Sequence, residues 1–216
     1  MDDLGTGRGP GSIGEQLLQE ELGTQARAEA FYRDQVLDHL NDRMREFVAE
    51  QEMVFIATAN GQGECDSSLR AGPPGFVLVQ DPTSLAYPDY RGNGVMASLG
   101  NAYENPHIGL LFLDFSRHRI GLHVNGTVRL VRDEDMRAEN PGIAPEPVPG
   151  RRARVWVQIA VEEAYIHCSK HIPRLVKVPT DRSWGTDDVK RKGGDWFGSA
   201  AAQRAAAQQA GGQPRP

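Results

Sequence analysis

The chain has 216 residues, 39% of them hydrophobic, which is enough for one domain of ordinary size with a sizeable core. Its 24 Lys and Arg against 29 Asp and Glu give a formal net charge of -5 without a long basic run, which argues against nucleic acid as a partner. No apolar run reaches the roughly 20 residues of a membrane span. The acidic, Gly-rich N-terminus is unlike a secretory signal, and two cysteines make no disulfide framework. We therefore expect a soluble, cytoplasmic protein that binds neither nucleic acid nor membranes.

The N-terminal part of the chain is predicted to contain a disordered lead and one long helix. Residues 1–12 are acidic and rich in glycine, so we expect them to be disordered. From about Thr24 to Gln51, apolar residues recur at i, i+3, i+7 and i+10, which defines one face of a packing helix. The residues of this face are Leu37, Leu40, Met44 and Phe47.

Short apolar segments separated by turn residues then predict a β-rich domain. In chain order these segments are residues 53–59, 65–70, 76–79, 84–87, 107–114, 120–130 and 155–161. Asn60 to Gly63 form a hairpin-type turn, Gly126 is a candidate β-bulge, and Asp133–Glu139 is a candidate short helix. Six or seven strands joined mainly by hairpin turns favour a closed antiparallel barrel over a βαβ sheet.

The pattern of strands fades beyond Arg182, so the single domain is predicted to span residues 13–192. Residues 193–216 are of low complexity. From residue 198 onward they are rich in Ala, Gln and Gly, which predicts either a frayed helix or a disordered tail.

The loop after the fourth strand has the composition of an anion site. Arg91 supplies a permanent charge whose planar fork suits phosphate, while Gly92 and Gly94 allow close approach of the backbone. The helix predicted to start near Gly94 offers free N–H groups and the positive end of its dipole. Ser98 and Asn101 lie one turn apart and share a side of that helix. The alternative is a solvated turn with an arginine on its rim.

A second polar element lies on the second predicted strand. Ser68 and Arg70 share one face of this strand, opposite Cys65, Ser67 and Leu69. Because the strand precedes a turn, Arg70 can lie at the barrel rim. The alternative for Arg70 alone is an ordinary solvent-facing side chain.

Several motifs, in the same order along the chain, resemble the pyridoxamine 5'-phosphate oxidase-like family of flavin-binding split barrels. The matching segments are residues 67–77, 87–93, 98–101, 104–112, 124–128 and 165–170. They resemble the second and third strands, the phosphate loop, the helix and strand after it, the next strand, and a late segment of one subgroup. The resemblance covers about residues 50 to 175.

This resemblance implies a mainly β fold with helices (α+β), a six- to seven-stranded antiparallel split β-barrel with an N-terminal helix. Family members are homodimers that bind flavin mononucleotide (FMN) between two barrels. By similarity, Ser68 and Arg70 would lie along the isoalloxazine, and Arg91 and Asn93 would hold the phosphate. Other candidates are Lys170, in the late segment, and His123, for which a solvent-exposed strand position is the alternative. The candidate cofactor-binding residues are thus Ser68, Arg70, Arg91, Asn93, Ser98, Asn101, His123 and Lys170.

The sequence also departs from the oxidases proper. Gly92 follows Arg91 where they carry an Arg-Lys pair, and Gly121 stands where a glutamine usually approaches the flavin. The surroundings of Trp184 and Trp196 do not match the substrate-holding segment of those enzymes. The resemblance therefore supports flavin binding better than vitamin B6 chemistry.

The function expected from this resemblance is that of an FMN-dependent oxidoreductase acting on a small organic substrate. The sequence offers no acid–base pair to nominate as catalytic. Two alternatives stay open: a non-catalytic flavin- or haem-binding module, and a reductase that uses a deazaflavin. We expect no metal site, because His167, Cys168 and His171 form only one cluster where zinc sites usually have two.

Overall fold

The computed structural model describes residues 11–179 and 182–211, in which three short helices precede an antiparallel sheet and further helices lie between and after its later strands. The helices in these ranges are α1 (Ile13–Glu21), α2 (Gln25–Gln35), α3 (Asp42–Glu50), α4 (Ala97–Glu104), α5 (Asp133–Glu139) and α6 (Ser199–Gly211). The strands are β1 (Met53–Ala59), β2 (Cys65–Ala71), β3 (Leu78–Asp81), β4 (Ser84–Asp89), β5 (His107–Leu113), β6 (Gly121–Arg132) and β7 (Val155–His167). None of the helices described is long and apolar enough to cross a membrane.

The predicted helix from Thr24 to Gln51 is wrong as a single element, because the chain breaks between α2 and α3. Leu37 lies in this break and forms an isolated antiparallel bridge with Ala164 of β7, with N–O distances of 3.0 and 2.7 Å. Asn41 then caps α3, since its Oδ1 accepts a hydrogen bond from the Met44 N–H at 3.0 Å. The apolar spacing is compatible with one helix, but the bridge and the cap divide it.

Helix α1 was not predicted, because its apolar side chains stay exposed and give no core-facing stripe. Ser12 caps it by accepting a hydrogen bond from the Glu15 N–H at 3.2 Å. The predicted disorder of residues 1–12 otherwise falls on residues 1–10, which lie outside the described ranges.

The seven strands form one antiparallel sheet in the order β2-β1-β5-β6-β7-β4-β3. The sheet is not closed, because β2 and β3 are its two edges; the prediction of a closed barrel is wrong on this point. The α+β split-barrel class is confirmed. The main apolar core gathers buried side chains from α3 and from strands β1, β4, β5, β6 and β7.

Most strand boundaries lie within two residues of the predicted ones, and the start of β3 and the end of β7 have clear structural causes or consequences. β3 starts at Leu78, because Phe76 and Val77 are buried in the preceding turn, where the Phe76 N–H bonds to Pro73 O at 3.0 Å. β7 runs on to His167, beyond the predicted end at Val161. The predicted bulge is confirmed: the β6–β7 register shifts between Asn125 and Gly126.

The C-terminal tail contains helix α6 within the described residues, and the side chains described for it are exposed. The helical alternative is therefore correct for Ser199–Gly211. Residues 212–216 lie outside the described ranges.

Candidate functional site

A polar row lines one face of the edge strand β2. Asp66, Ser68 and Arg70 are half-buried, whereas Cys65 and Leu69 on the opposite face are exposed. This is the alternation expected for a strand with only one covered face. The row places hydroxyl, carboxylate and guanidinium groups along the covered side of β2.

Helix α4 is held against the β1–β2 hairpin by the two polar residues predicted to face an anion. Ser98 Oγ donates to Asp66 Oδ2 at 2.8 Å, and Asn101 Nδ2 donates to Thr58 Oγ1 of β1 at 3.2 Å. Both side chains therefore already have partners on the β1–β2 hairpin, and the carboxylate of Asp66 would repel a phosphate there. The helix also begins at Ala97 rather than near Gly94.

Arg70 is the central charge of the row. Its Nη1 donates to Ser68 Oγ at 2.7 Å, and its Nη2 lies 3.6 Å from Asp89 Oδ1 at the end of β4. The Arg70 Nε is buried without a hydrogen-bond partner among the described residues. Burial raises the pKa of Asp89 above its usual range, and the charge of Arg70 opposes that rise. Burial also raises the pKa of the neighbouring Tyr87 phenol.

Arg91 lies in the loop after β4 and binds the C-terminal segment. Its Nη2 donates to both carboxylate oxygens of Asp187, at 2.9 and 2.8 Å, and its Nη1 donates to Gly185 O at 3.3 Å. Asn93 has a local role, since its Oδ1 accepts a hydrogen bond from the Val95 N–H at 3.0 Å and shapes the loop.

The two arginines line the same small cavity, which has a volume of about 260 Å³. Its walls come from the ends of β2 and β4, the Arg91 loop and two remote segments that contribute Gly150, Trp184 and Gly185. A side chain on Gly150 would lie only 2.3 Å from the Trp184 carbonyl carbon, so this approach requires glycine. The cavity thus has two cationic side chains, one carboxyl group, that of Asp89, and a wall built partly from backbone.

Trp184 is a residue of this cavity to which the sequence analysis gave no role. Its ring packs edge-on against Tyr90 at 5.5 Å between ring centroids, and the guanidinium carbons of Arg151 and Arg182 each lie 5.7 Å from it. The sequence offers only Gly150 and Gly185 as a hint of this contact. That their backbones touch, and so require glycine, is visible only in the structure. Trp196, in contrast, is exposed.

A larger open groove of about 1100 Å³ lies on the other side of Trp184. It contains none of the predicted cofactor-binding residues, and basic side chains in its wall are paired: Arg117 with Glu50 at 3.0 Å and Arg151 with Glu146 at 2.9 Å. The smaller cavity is lined by both Arg70 and Arg91, which are likewise paired with carboxylates, Asp89 and Asp187.

His123 lies apart from this cavity, on β6, which β1 and β5 separate from β2 in the sheet order. Its Nε2 is 2.9 Å from His167 Nδ1, and its ring stacks on Tyr165 at a centroid distance of 4.7 Å. Burial, followed by the charge of His167, lowers the pKa of His123. Lys170 is exposed in a short 3₁₀ turn after β7.

The structure therefore brings together only some of the eight candidates. Ser68, Arg70 and Arg91 gather at or beside the cavity, Ser98 and Asn101 anchor α4, and the remaining three lie in separate surroundings. In the part of the chain that the structure describes, no three His, Cys, Asp or Glu side chains converge as a metal site would require.

The family model described as pyridoxamine 5'-phosphate oxidase matches residues 40–168, which is more than half of the chain. The protein belongs to this family, and the resemblance inferred from the sequence motifs is confirmed. None of the curated proteins compared with the chain matches it.

Solved structures are similar to the chain at low sequence identity. HupZ from Group A Streptococcus is 18% identical, with 59% of this chain and 93% of that chain covered and a TM-score of 0.43. A conserved hypothetical protein from Mycobacterium tuberculosis is 12% identical, with 70% and 97% covered and a TM-score of 0.45. The heme storage protein HutZ from Vibrio cholerae is 15% identical, with 59% and 94% covered and a TM-score of 0.38.

Proposed function

We propose that this protein is an FMN-dependent oxidoreductase that acts on a small organic substrate, with the flavin phosphate held between Arg70 and Arg91. The observation that carries the proposal is the convergence of these two arginines on one cavity in a chain of this family. Guanidinium groups suit phosphate because they donate several hydrogen bonds in a fixed plane.

The size of the cavity suits the phosphate end of the cofactor rather than all of it. Sites that enclose a whole small molecule usually measure about 300–1,000 Å³, and this cavity has about 260 Å³. The isoalloxazine would therefore lie outside the cavity, along the covered face of β2 where Ser68 precedes Arg70. Bound flavin supplies hydride and electron transfer, and the protein residues bind and orient it.

The same proposal includes a homodimer, because a flavin ring outside the cavity needs a cover. Large apolar side chains are exposed on β2, on the loop after β4 and on α4, which packs against the β1–β2 hairpin. These side chains are Leu69, Val95, Met96 and Tyr103. These side chains are candidates for the dimer contact, since exposed apolar surface, where it is contiguous, often marks an interaction site. Sedimentation that shows only a 23.7 kDa monomer at micromolar concentration would contradict the dimer.

Titration of the apoprotein with FMN and with riboflavin, followed by flavin fluorescence, tests the cofactor and its orientation together. Arg91→Ala should weaken FMN binding by about 10- to 150-fold, since a hydrogen bond to a charged group contributes about 1.5–3 kcal/mol. Riboflavin has no phosphate, so its affinity should not change.

The matched control is Arg129→Ala on β6, the central strand of the sheet order. This variant removes another exposed arginine paired with a carboxylate, Glu139 at 3.1 Å, that does not line the cavity. It should bind FMN as wild type does. Equal FMN affinity of wild type and Arg91→Ala would refute the phosphate site. A purified protein that carries a Soret band and takes up no flavin would refute the flavin assignment itself.

A further inference from the structure

The C-terminal segment closes one side of the cavity and occupies its outer arginine. We propose that residues 183–188, here called the strap, form a releasable wall of the anion site. In this proposal Asp187 holds Arg91 while the site is empty, and an anionic group that binds Arg91 displaces Asp187. The inference rests on the proposed function, because it takes the cavity to be an anion site.

Arg91 is held by two residues of the strap. One nitrogen of its guanidinium donates to both oxygens of Asp187, and another donates to the backbone of Gly185, so the strap occupies two of the groups that would bind a phosphate. A phosphate on the same guanidinium would lie within a few ångströms of the Asp187 carboxylate. Two anions at that distance repel each other, so binding of one favours release of the other.

The strap has one end that is fixed and one that is not. At the fixed end, Trp184 packs against Tyr90, and the Gly185 backbone touches Gly150, where an added side chain would be only 2.3 Å from backbone atoms. At the other end, the Asp187–Arg91 pair is solvated, with Asp187 74% and Arg91 59% exposed. A fixed end beside a solvated ion pair is the arrangement of a hinged wall that opens at Asp187.

The exposure of the Asp187–Arg91 pair sets how much the strap can lower anion affinity. Solvent-exposed ion pairs contribute about 0.2–1 kcal/mol, which corresponds to a factor of up to about five in an equilibrium constant. When a competitor must leave first, the apparent affinity of every ligand that needs the freed group falls by the same factor. The strap therefore lowers affinity for all anions at Arg91 equally and leaves uncharged ligands unaffected.

Asp187→Asn, with Asp188→Asn as its control, tests this mechanism. The first substitution keeps the shape of the side chain and removes its charge, whereas Asp188 caps the Lys190 and Arg191 N–H groups at 2.8 and 3.0 Å and does not pair with Arg91. Asp187→Asn should bind inorganic phosphate and FMN about two- to fivefold more tightly than wild type, by one common factor. Riboflavin affinity should not change in either variant, and Asp188→Asn should match wild type with all three ligands.

Hydrogen exchange of the strap amides provides the second readout. Saturating phosphate should speed exchange at residues 186–188 in wild type and leave the fixed end at residues 184–185 unchanged, and Asp187→Asn should show the faster exchange without phosphate. Slower or unchanged exchange in phosphate-saturated wild type would overturn the strap.

The two proposals can fail separately. If FMN and phosphate bind wild type and Asp187→Asn with equal affinities, the flavin site stands and the strap is wrong. If neither protein binds FMN but Asp187→Asn binds phosphate more tightly, the strap stands and the flavin proposal is wrong.

Discussion

Replacing Arg70 with Met should expose the cost of a half-buried carboxylate at the end of β4. Arg70 is 22% exposed and Asp89 18%, and their closest N–O distance is 3.6 Å. At that distance the Coulomb attraction is about 5 kcal/mol with an effective dielectric constant of about 20. Desolvation of both groups offsets part of it. We therefore expect Arg70→Met to lower the free energy of unfolding by about 2–3 kcal/mol at pH 7.5.

The pH dependence of this loss identifies Asp89 as its cause. Burial raises the pKa of Asp89, and Arg70 opposes that rise, so the pKa should rise further in Arg70→Met. A carboxyl group whose pKa is higher in the folded than in the unfolded state favours folding as it gains its proton. The deficit of the variant should therefore be largest at neutral pH and shrink as the pH falls toward about 5.

Urea denaturation at about pH 7.5 and about pH 5 measures both the loss in free energy of unfolding and its pH dependence. The double variant Arg70→Met with Asp89→Asn removes both charges and should recover much of the lost stability. Arg129→Met, which breaks an exposed pair, should change stability by about 0.5 kcal/mol or less. A deficit in Arg70→Met that is the same at both pH values would show that Asp89 is not its cause.

Two further predictions concern β6. Because burial lowers the pKa of His123 in the folded state, wild type should lose stability as the pH falls below about 6.5, and His123→Gln should lose less between about pH 7.5 and 5.5 in thermal melts. Parallel melts of the two proteins would contradict this. Gly126→Ala should destabilise by about 3 kcal/mol in urea, since its Cβ would lie 2.0 Å from Ala160 O, whereas Gly100→Ala, on α4 with open space around it, should stabilise by up to about 1 kcal/mol. Equal stabilities of the two glycine variants would show that the bulge tolerates a side chain.

Features that depend on neighbours in the chain could be predicted from the sequence. The alternation on β2, the glycine bulge at Gly126 and the helix Asp133–Glu139 all follow from local spacing and turn chemistry. The break between α2 and α3 could not, because it depends on the pairing of Leu37 with Ala164, far along the chain. Local apolar spacing contains no information about such a bridge.

The polar residues of α4 also show where prediction from local spacing ends. Helical spacing correctly placed Ser98 and Asn101 on one side of the helix. It could not show which way that side faces, and the structure turns it toward Asp66 and Thr58 of the β1–β2 hairpin. The direction of a helix face is set by packing, and here it gives both side chains hydrogen-bond partners on that hairpin.

Part of the cavity wall comes from residues that lie outside the segment matched by the family model. The family match ends at residue 168, while Trp184, Gly185 and Asp187 follow it in the chain. Arg70 and Arg91, within the match, supply the positive charge, and the later segment supplies a wall and a competing carboxylate. Under the two proposals, relatives that share the matched part but differ in the C-terminal segment should bind the same anion with different affinities, because the proposed competing group, Asp187, lies in that segment. Exchange of that segment between relatives should therefore change phosphate affinity, while the charge that binds phosphate stays the same.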